Sequence, residues 1–206
     1  MTTIKIHGMP PSTFTRTVLL GCQEKGIDYE LVPARPDTIE AINPFRKIPA
    51  MTHGDFVLYE SVAILRYLER TFPGPKLWPD DSHEAALCDQ WIGAVSDSFV
   101  NAALRYMAAR FGFLPVPEEM KQKYFDKTVE LLPVFERQLG RHRFLAGERL
   151  TAADLYLMPL LDYFSDVPEL GALYAKATNC RRWMAEMAQR PSAVATVPSF
   201  KPQIAA

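Results

Sequence analysis

The chain has 206 residues, 48% of them hydrophobic and 23% charged, enough to bury a sizeable core as one domain or as two small ones. A formal net charge of -1 with the charges scattered excludes the basic stripe of a nucleic-acid binder, and no apolar run approaches the length of a membrane span. The first residues, up to Ile6, lack the basic and apolar regions of a secretory leader, so a cytoplasmic protein is expected; Cys22, Cys88 and Cys180 are odd in number and isolated, which argues against a disulfide framework or a zinc site.

Thr3 to His7 alternates as a short strand. Gly8-Met9-Pro10-Pro11 forces a turn, and Ser12 opens a helical pattern carrying Val18, Leu19 and Cys22 that Gly26 stops. Tyr29 to Val32 reads as a second strand, so strand, helix and strand form a parallel unit with a right-handed crossover. Asp37 to Ile42 has room for one or two helical turns. Ile48-Pro49 then precedes a short apolar run. The proline cannot donate to a sheet ladder, so it belongs at the start of a strand, an edge or a bend, and a cis bond fits there. Gly54-Asp55 lies between Ala50-Met51 and the alternating Phe56-Val57-Leu58-Tyr59, the pattern of a tight hairpin. After it Ser61 opens a helix with Val62, Ile64, Leu65 and Leu68 at helical spacing. The segment Ile42 to Glu69 therefore offers two contacts: backbone groups beside Pro49 for an extended peptide, and a helix N-terminus at Glu60 and Ser61 for a carboxylate.

Pro73, Pro75 and Pro79 mark residues 73–81 as a linker between a first domain, residues 1–72, and a second, residues 82–206. From His83 onward strand-like alternation is absent. Long periodic stretches run from about Glu84 to Phe111 and from Glu118 to Leu139, predicted to pack as an antiparallel pair, with FGFLPVP breaking them. Thr151-Ala-Ala-Asp154 has capping-box spacing, Leu150 and Leu155 fit a hydrophobic staple, and a buried helix is predicted from Ala152 to about Phe164. Arg181 to Met184 lie on a last helix ending near Pro191, and the tail to Ala206 reads as an irregular packing strap.

This order of features resembles the glutathione S-transferase family, over nearly the whole chain. The run NPFRKIP resembles its [N]-P-x-x-[K/Q]-[V/I]-P motif, the Glu60-Ser61 helix start follows a hairpin as it does there, and LAGERLTAADLYLMP matches the cap-and-staple element of the second domain. GMPPSTFTRTVL resembles the S-T-x-x-R motif of serine-type, phi- and theta-like classes, here taken as a bacterial-type chain. The resemblance implies an N-terminal thioredoxin-like α/β domain (βαβ-ββα) and an all-α C-terminal domain. It implies a transferase that conjugates the thiolate of glutathione, its co-substrate, to small hydrophobic electrophiles in detoxification, with no metal. It also implies a homodimer, with Phe45 a candidate plug at the interface.

A transferase must stabilise a thiolate that free glutathione holds mostly protonated at neutral pH, and a hydroxyl donor at the positive end of a helix does this. Ser12 fits both needs, and in the resembled classes this serine donates to the sulfur. Its competing reading is a plain N-cap. Thr13 is the nearest competitor, and His7 reads as a strand-end residue. The absence of cysteine at position 12 disfavours mixed-disulfide reduction. By the same resemblance Ile48 exchanges backbone hydrogen bonds with the cysteinyl unit, Pro49 orients that carbonyl, Ser61 takes the γ-glutamyl carboxylate and Glu60 its ammonium. Lys47 stands near the glycyl carboxylate. Phi-type chains carry a longer basic loop where this one has PARPDTIEAINPF, with Arg35 as the available substitute. The electrophile is expected against Pro10, Phe14, Tyr106, Met107, Arg110, Phe111 and Phe113, although Met and Phe stripes are also core patterns and Arg110 also reads as a surface helix charge. Glutathione-dependent peroxide reduction or isomerisation uses the same residues, and a non-catalytic binding module of the same fold is the reading from another class.

Overall fold

In the computed structural model, which describes residues 3–204, the chain divides into two compact units, one formed by residues up to Leu77 together with Gln189–Lys201 and the other by Trp78–Ala188 with the described residues from Pro202 on. The division falls inside the predicted linker. Within the span 82–206 expected as the second domain, Gln189–Lys201 groups with the first unit.

The first unit is thioredoxin-like. Strand β1 (Ile4–Gly8) leads through helix α1 (Thr13–Lys25) to β2 (Tyr29–Pro33), and β3 (Ala50–His53), β4 (Phe56–Tyr59) and α2 (Ser61–Thr71) follow. The sheet has the order β2-β1-β3-β4, with β1 parallel to β2 and antiparallel to β3. Alternation decides the faces: Ile4 and Ile6 point into a core with Val18, Leu20, Met51, Ile64, Leu65 and Leu68. Gly26 ends α1 in the left-handed conformation at φ 66°, its N–H bonding back to Cys22 and Gln23. Gly54, at φ 61°, supplies the positive φ that the two-residue hairpin turn needs. The predicted turns at Asp37 to Ile42 form as hydrogen-bonded turns but not as a helix, because Thr38 Oγ1 takes the Arg35 N–H and Asn43 closes the next bend. Ile39, Ile42 and Ile48 of this loop cover Ala34, Ala50 and Tyr59.

The second unit is all helical: α3 (Ser82–Gly93), a π-helical segment (Ala94–Leu104), α4 (Arg105–Arg110), α5 (Glu118–Arg141), α6 (Ala152–Leu161), a 3-10 turn (Phe164–Asp166), α7 (Pro168–Tyr174) and α8 (Thr178–Ala188). Ring pairs between the first helical stretch and α5 run in reverse order: Trp91 and Phe99 meet Phe135, with centroids 5.7 and 4.6 Å apart, and Tyr106 meets Phe125 at 5.2 Å. The two therefore pack antiparallel. Helix α6 is buried along its whole length and stops at Leu161, earlier than predicted. Helix α8 ends at Ala188, near Pro191 as predicted, but it is not the last helix: Pro191 starts α9 (Pro191–Ala195), which belongs to the first unit, since proline is tolerated in a first turn. Residues 205 and 206 of the predicted strap lie outside the described residues. Among the described residues no helix is long and apolar enough to cross a membrane.

Candidate functional site

The loop Met9–Pro11 delivers Ser12 to the start of α1. It has little freedom: a Cβ at Gly8 would come within 2.4 Å of Thr15 Oγ1, so the end of β1 approaches the first turn of α1 as only glycine permits. Ser12 is the N-cap, with its backbone extended at φ -72° and ψ 123° and its Oγ accepting from the Thr15 N–H at 3.3 Å. The cap and the donor roles do not compete. A hydroxyl has two acceptor lone pairs and one proton, so Oγ can hold the helix amide while its O–H points elsewhere. Ser12 is partly exposed, whereas Thr13 is buried, which separates the two candidates.

His7 sits on the opposite face of β1 from the core, with Nε2 and Thr52 Oγ1 3.0 Å apart. Burial, and then the charge of Lys5, push its pKa down. None of the cysteines is a thiolate candidate. All are buried, and burial raises Cys88 and Cys180 and pushes Cys22 up to about 12.

The loop that leads into Ile48 is built around one buried polar residue. Asn43 is buried and accepts the Phe45 N–H at 3.0 Å, an Asx-turn, while its side-chain amide donates to the Lys47 carbonyl at 2.7 Å. It thereby fixes the backbone leading into Ile48 and the cis Ile48-Pro49 bond. An asparagine directly before Pro44 was the available signal. Ile48 is half-buried, Pro49 buried and Lys47 exposed. Arg35 is exposed and pairs with Asp37 at 3.4 Å. Phe45 is 64% exposed, its ring edge-on to Tyr59.

Glu60 and Ser61 meet at a strained corner. Glu60 has φ 68° and ψ 115°, a conformation that costs an ordinary residue of the order of 1–3 kcal/mol. The strain turns the chain so that α2 begins at Ser61 with no side-chain cap from Glu60. Glu60 is exposed and Ser61 is buried.

Among the electrophile candidates, Pro10 and Phe14 of the first unit are half-buried. In the helical unit Tyr106 and Met107 are core residues, 6% and 1% exposed, Phe111 is half-buried against Tyr163, and Phe113 is 68% exposed. Arg110 is not a free surface charge: it pairs with Glu169 and donates to the Tyr106 hydroxyl at 3.4 Å. Among the described residues no group of three or more His, Cys, Asp and Glu side chains is arranged to hold a metal ion.

A family model described as glutathione S-transferase, N-terminal domain, matches residues 6–76, and one described as glutathione S-transferase, C-terminal domain, matches residues 87–191. The chain is similar to glutathione S-transferase F14 of Arabidopsis thaliana, 32% identical over 84% of this chain and 75% of that one. Poplar glutathione transferase F1 matches with a TM-score of 0.85 at 29% identity, covering 96% of this chain and 97% of the other. A glutathione S-transferase-I bound with lactoylglutathione matches with a TM-score of 0.82 at 26% identity, over 95% and 98% of the two chains. These similarities lie with plant F-type proteins rather than with a specifically bacterial type.

Proposed function

The chain belongs to the glutathione S-transferase family and is a transferase, and on that premise we propose that it joins the thiolate of glutathione to small hydrophobic electrophiles, with Ser12 stabilising the sulfur. The observation that carries this reading is the state of Ser12: its oxygen is engaged by the Thr15 amide, its proton is available, and it stands where the α1 dipole favours a negative charge. The thiol proton leaves to solvent. The sulfur then forms a bond to the electrophilic carbon, and the leaving group departs with the electron pair.

Glutathione is held as an added strand segment. Ile48 exchanges backbone hydrogen bonds with the cysteinyl unit, on a loop set by Asn43. The γ-glutamyl carboxylate takes Ser61 and the first-turn amides of α2, its ammonium meets Glu60, and the Lys47 ammonium takes the glycyl carboxylate. Arg35, already paired with Asp37, is the weaker candidate for that last contact. For the electrophile, Phe14 stands in the same unit as Ser12 and has surface to offer; within the helical unit Phe111 and Phe113 have exposed surface, whereas Tyr106 and Met107 lie in the core. The chain acts in the cytoplasm as a homodimer, with Phe45 at the interface.

The test is conjugation of glutathione to chlorodinitrobenzene, with the ultraviolet absorbance of the bound thiolate titrated from acid to alkaline pH. Turnover with a thiol that ionises at lower pH when bound is the expected result. Binding of glutathione without thiolate formation refutes catalysis by this site and leaves the binding-module reading. Cumene hydroperoxide as the favoured substrate points to peroxide reduction instead.

A further inference from the structure

Segment Gln189–Lys201 lies along α1 and runs opposite to it. At the start of α9, Arg190 donates two hydrogen bonds to Glu24, each 2.7 Å, and Ser192 Oγ donates to the same carboxylate near the end of α1. Further along, the Ala193 carbonyl and Thr196 Oγ1 accept from Arg16 at 3.4 and 3.5 Å, near the beginning of α1. The Thr196 hydroxyl itself donates to the Ser192 carbonyl at 2.8 Å, which fixes its lone pairs for the guanidinium. Both ends of α1 are thus tied to one short segment that comes more than a hundred residues later.

Arg16 is 2% exposed, so its place is set by packing as well as by these bonds. Its own backbone N–H donates to the Ser12 carbonyl at 2.9 Å, the hydrogen bond that opens α1. A shift of Arg16 therefore moves the turn on which the Ser12 hydroxyl is mounted. We propose that Arg16 is a positioning residue for glutathione conjugation: anchored to Ala193 and Thr196, it holds the first turn of α1, and with it Ser12, at the height where the hydroxyl meets the sulfur. This rests on the reading of Ser12 given above. The Glu24 anchor at the far end of α1 holds the helix down but acts too far along it to aim the cap.

The experiment compares wild type, Arg16→Ala, Arg16→Lys, Thr196→Val and Arg190→Ala for thermal unfolding, glutathione affinity and the pH profile of kcat/KM. Arg16→Ala is expected to move the profile about one pH unit toward alkali and to lower kcat about tenfold at neutral pH, since small displacements of a catalytic group cost this much or more. Glutathione affinity changes less than about twofold, because the peptide edge and the α2 start are untouched. Arg16→Lys recovers part of kcat. Arg190→Ala lowers the unfolding temperature with the pH profile in place, the signature of a merely structural contact. Where Arg16→Ala does not fold, Thr196→Val, which removes one acceptor without changing volume, decides the matter with a smaller shift of the same sign. A wild-type profile in Arg16→Ala, or in Thr196→Val where that variant decides, overturns the positioning role while leaving Ser12 intact. A wild type that never ionises bound glutathione overturns both.

Discussion

Ser12 Oγ accepts the Thr15 backbone N–H at 3.3 Å, and the hydroxyl that caps α1 still has a proton to give. Ser12→Ala removes both functions, and they are read by different measurements. Conjugation should fall by the worth of a hydrogen bond to a charged sulfur, roughly 1.5–3 kcal/mol, while glutathione binding persists. Thermal unfolding should also shift down by the worth of a cap, about 1 kcal/mol. Turnover equal to wild type with the stability loss present reduces Ser12 to a capping residue.

At Glu60 stability and binding pull in opposite directions. A glycine accepts φ 68° without strain, and its extra freedom in the unfolded chain offsets only part of that gain. Glu60→Gly is therefore expected to stabilise the fold by about 1 kcal/mol while raising the Kd for glutathione, because the carboxylate proposed to meet the γ-glutamyl ammonium is gone. Calorimetric titration beside urea unfolding checks both signs. A variant that is less stable yet binds normally contradicts the assignment of the strain to function.

How far these residues were legible in the sequence depends on the range of the interaction. Gly26, Gly54, the cis Ile48-Pro49 bond and the Thr151-Asp154 box are written in a few neighbouring residues, and each formed where the local pattern put it. The π-helical run Ala94–Leu104 was not visible, because the apolar spacing that buries Val95, Phe99, Ala102 and Ala103 suits an ordinary helix nearly as well. Nor could spacing tell that Tyr106 and Met107 face a core, or that Arg16 of the S-T-x-x-R motif reaches Ala193 and Thr196. Those partners are set by tertiary packing across long stretches of sequence. The helix α9 after Pro191 was hidden for a related reason: the end of α8 near that proline is legible, but proline also begins a helix, and the return of Gln189–Lys201 to the first unit is a tertiary matter.

Lys25 ties the linker to the first unit. Its side chain is 2% exposed, pairs with Glu69 at 3.0 Å and donates to the Pro75 carbonyl at 3.2 Å, while Glu69 also accepts the Leu77 N–H at 3.3 Å. Breaking such a buried pair strands a charge, so Lys25→Met is expected to cost about 3–5 kcal/mol in urea unfolding. Adding Glu69→Met should restore more than half of that loss. A double variant no better than the single one shows that the bonds to Pro75 and Leu77, rather than the stranded charge, dominate.

Asp154 does more than close a capping box. Fully buried, it accepts from the Thr151 N–H and hydroxyl at 2.9 and 3.1 Å, from the Leu145 N–H at 2.9 Å and from the Trp183 indole at 3.0 Å. An ordinary cap is worth about 0.5–2 kcal/mol. Here Asp154→Ala also orphans buried donors on Leu145 and Trp183, at about 1–3 kcal/mol each, so a loss of at least about 3 kcal/mol is expected with the glutathione site unaffected. Burial raises the Asp154 carboxyl from 3.8 to about 6 despite those donors. The folded state therefore binds this proton more tightly than the unfolded chain, and the contribution is full below pH 3.8 and is lost as the pH rises through about 6. Glu24 and Glu136 have the opposite sign. Burial works to raise them, but the bonds from Arg190 and Ser192, and from Asn179 and Cys180, hold them below 4.5, so their contribution is present above that value and lost in acid. Unfolding free energy against pH should accordingly fall between pH 4 and 7 by more in wild type than in Asp154→Asn, while Glu24→Gln flattens only the acid limb. Parallel curves for wild type and Asp154→Asn across that range remove Asp154 from the pH dependence.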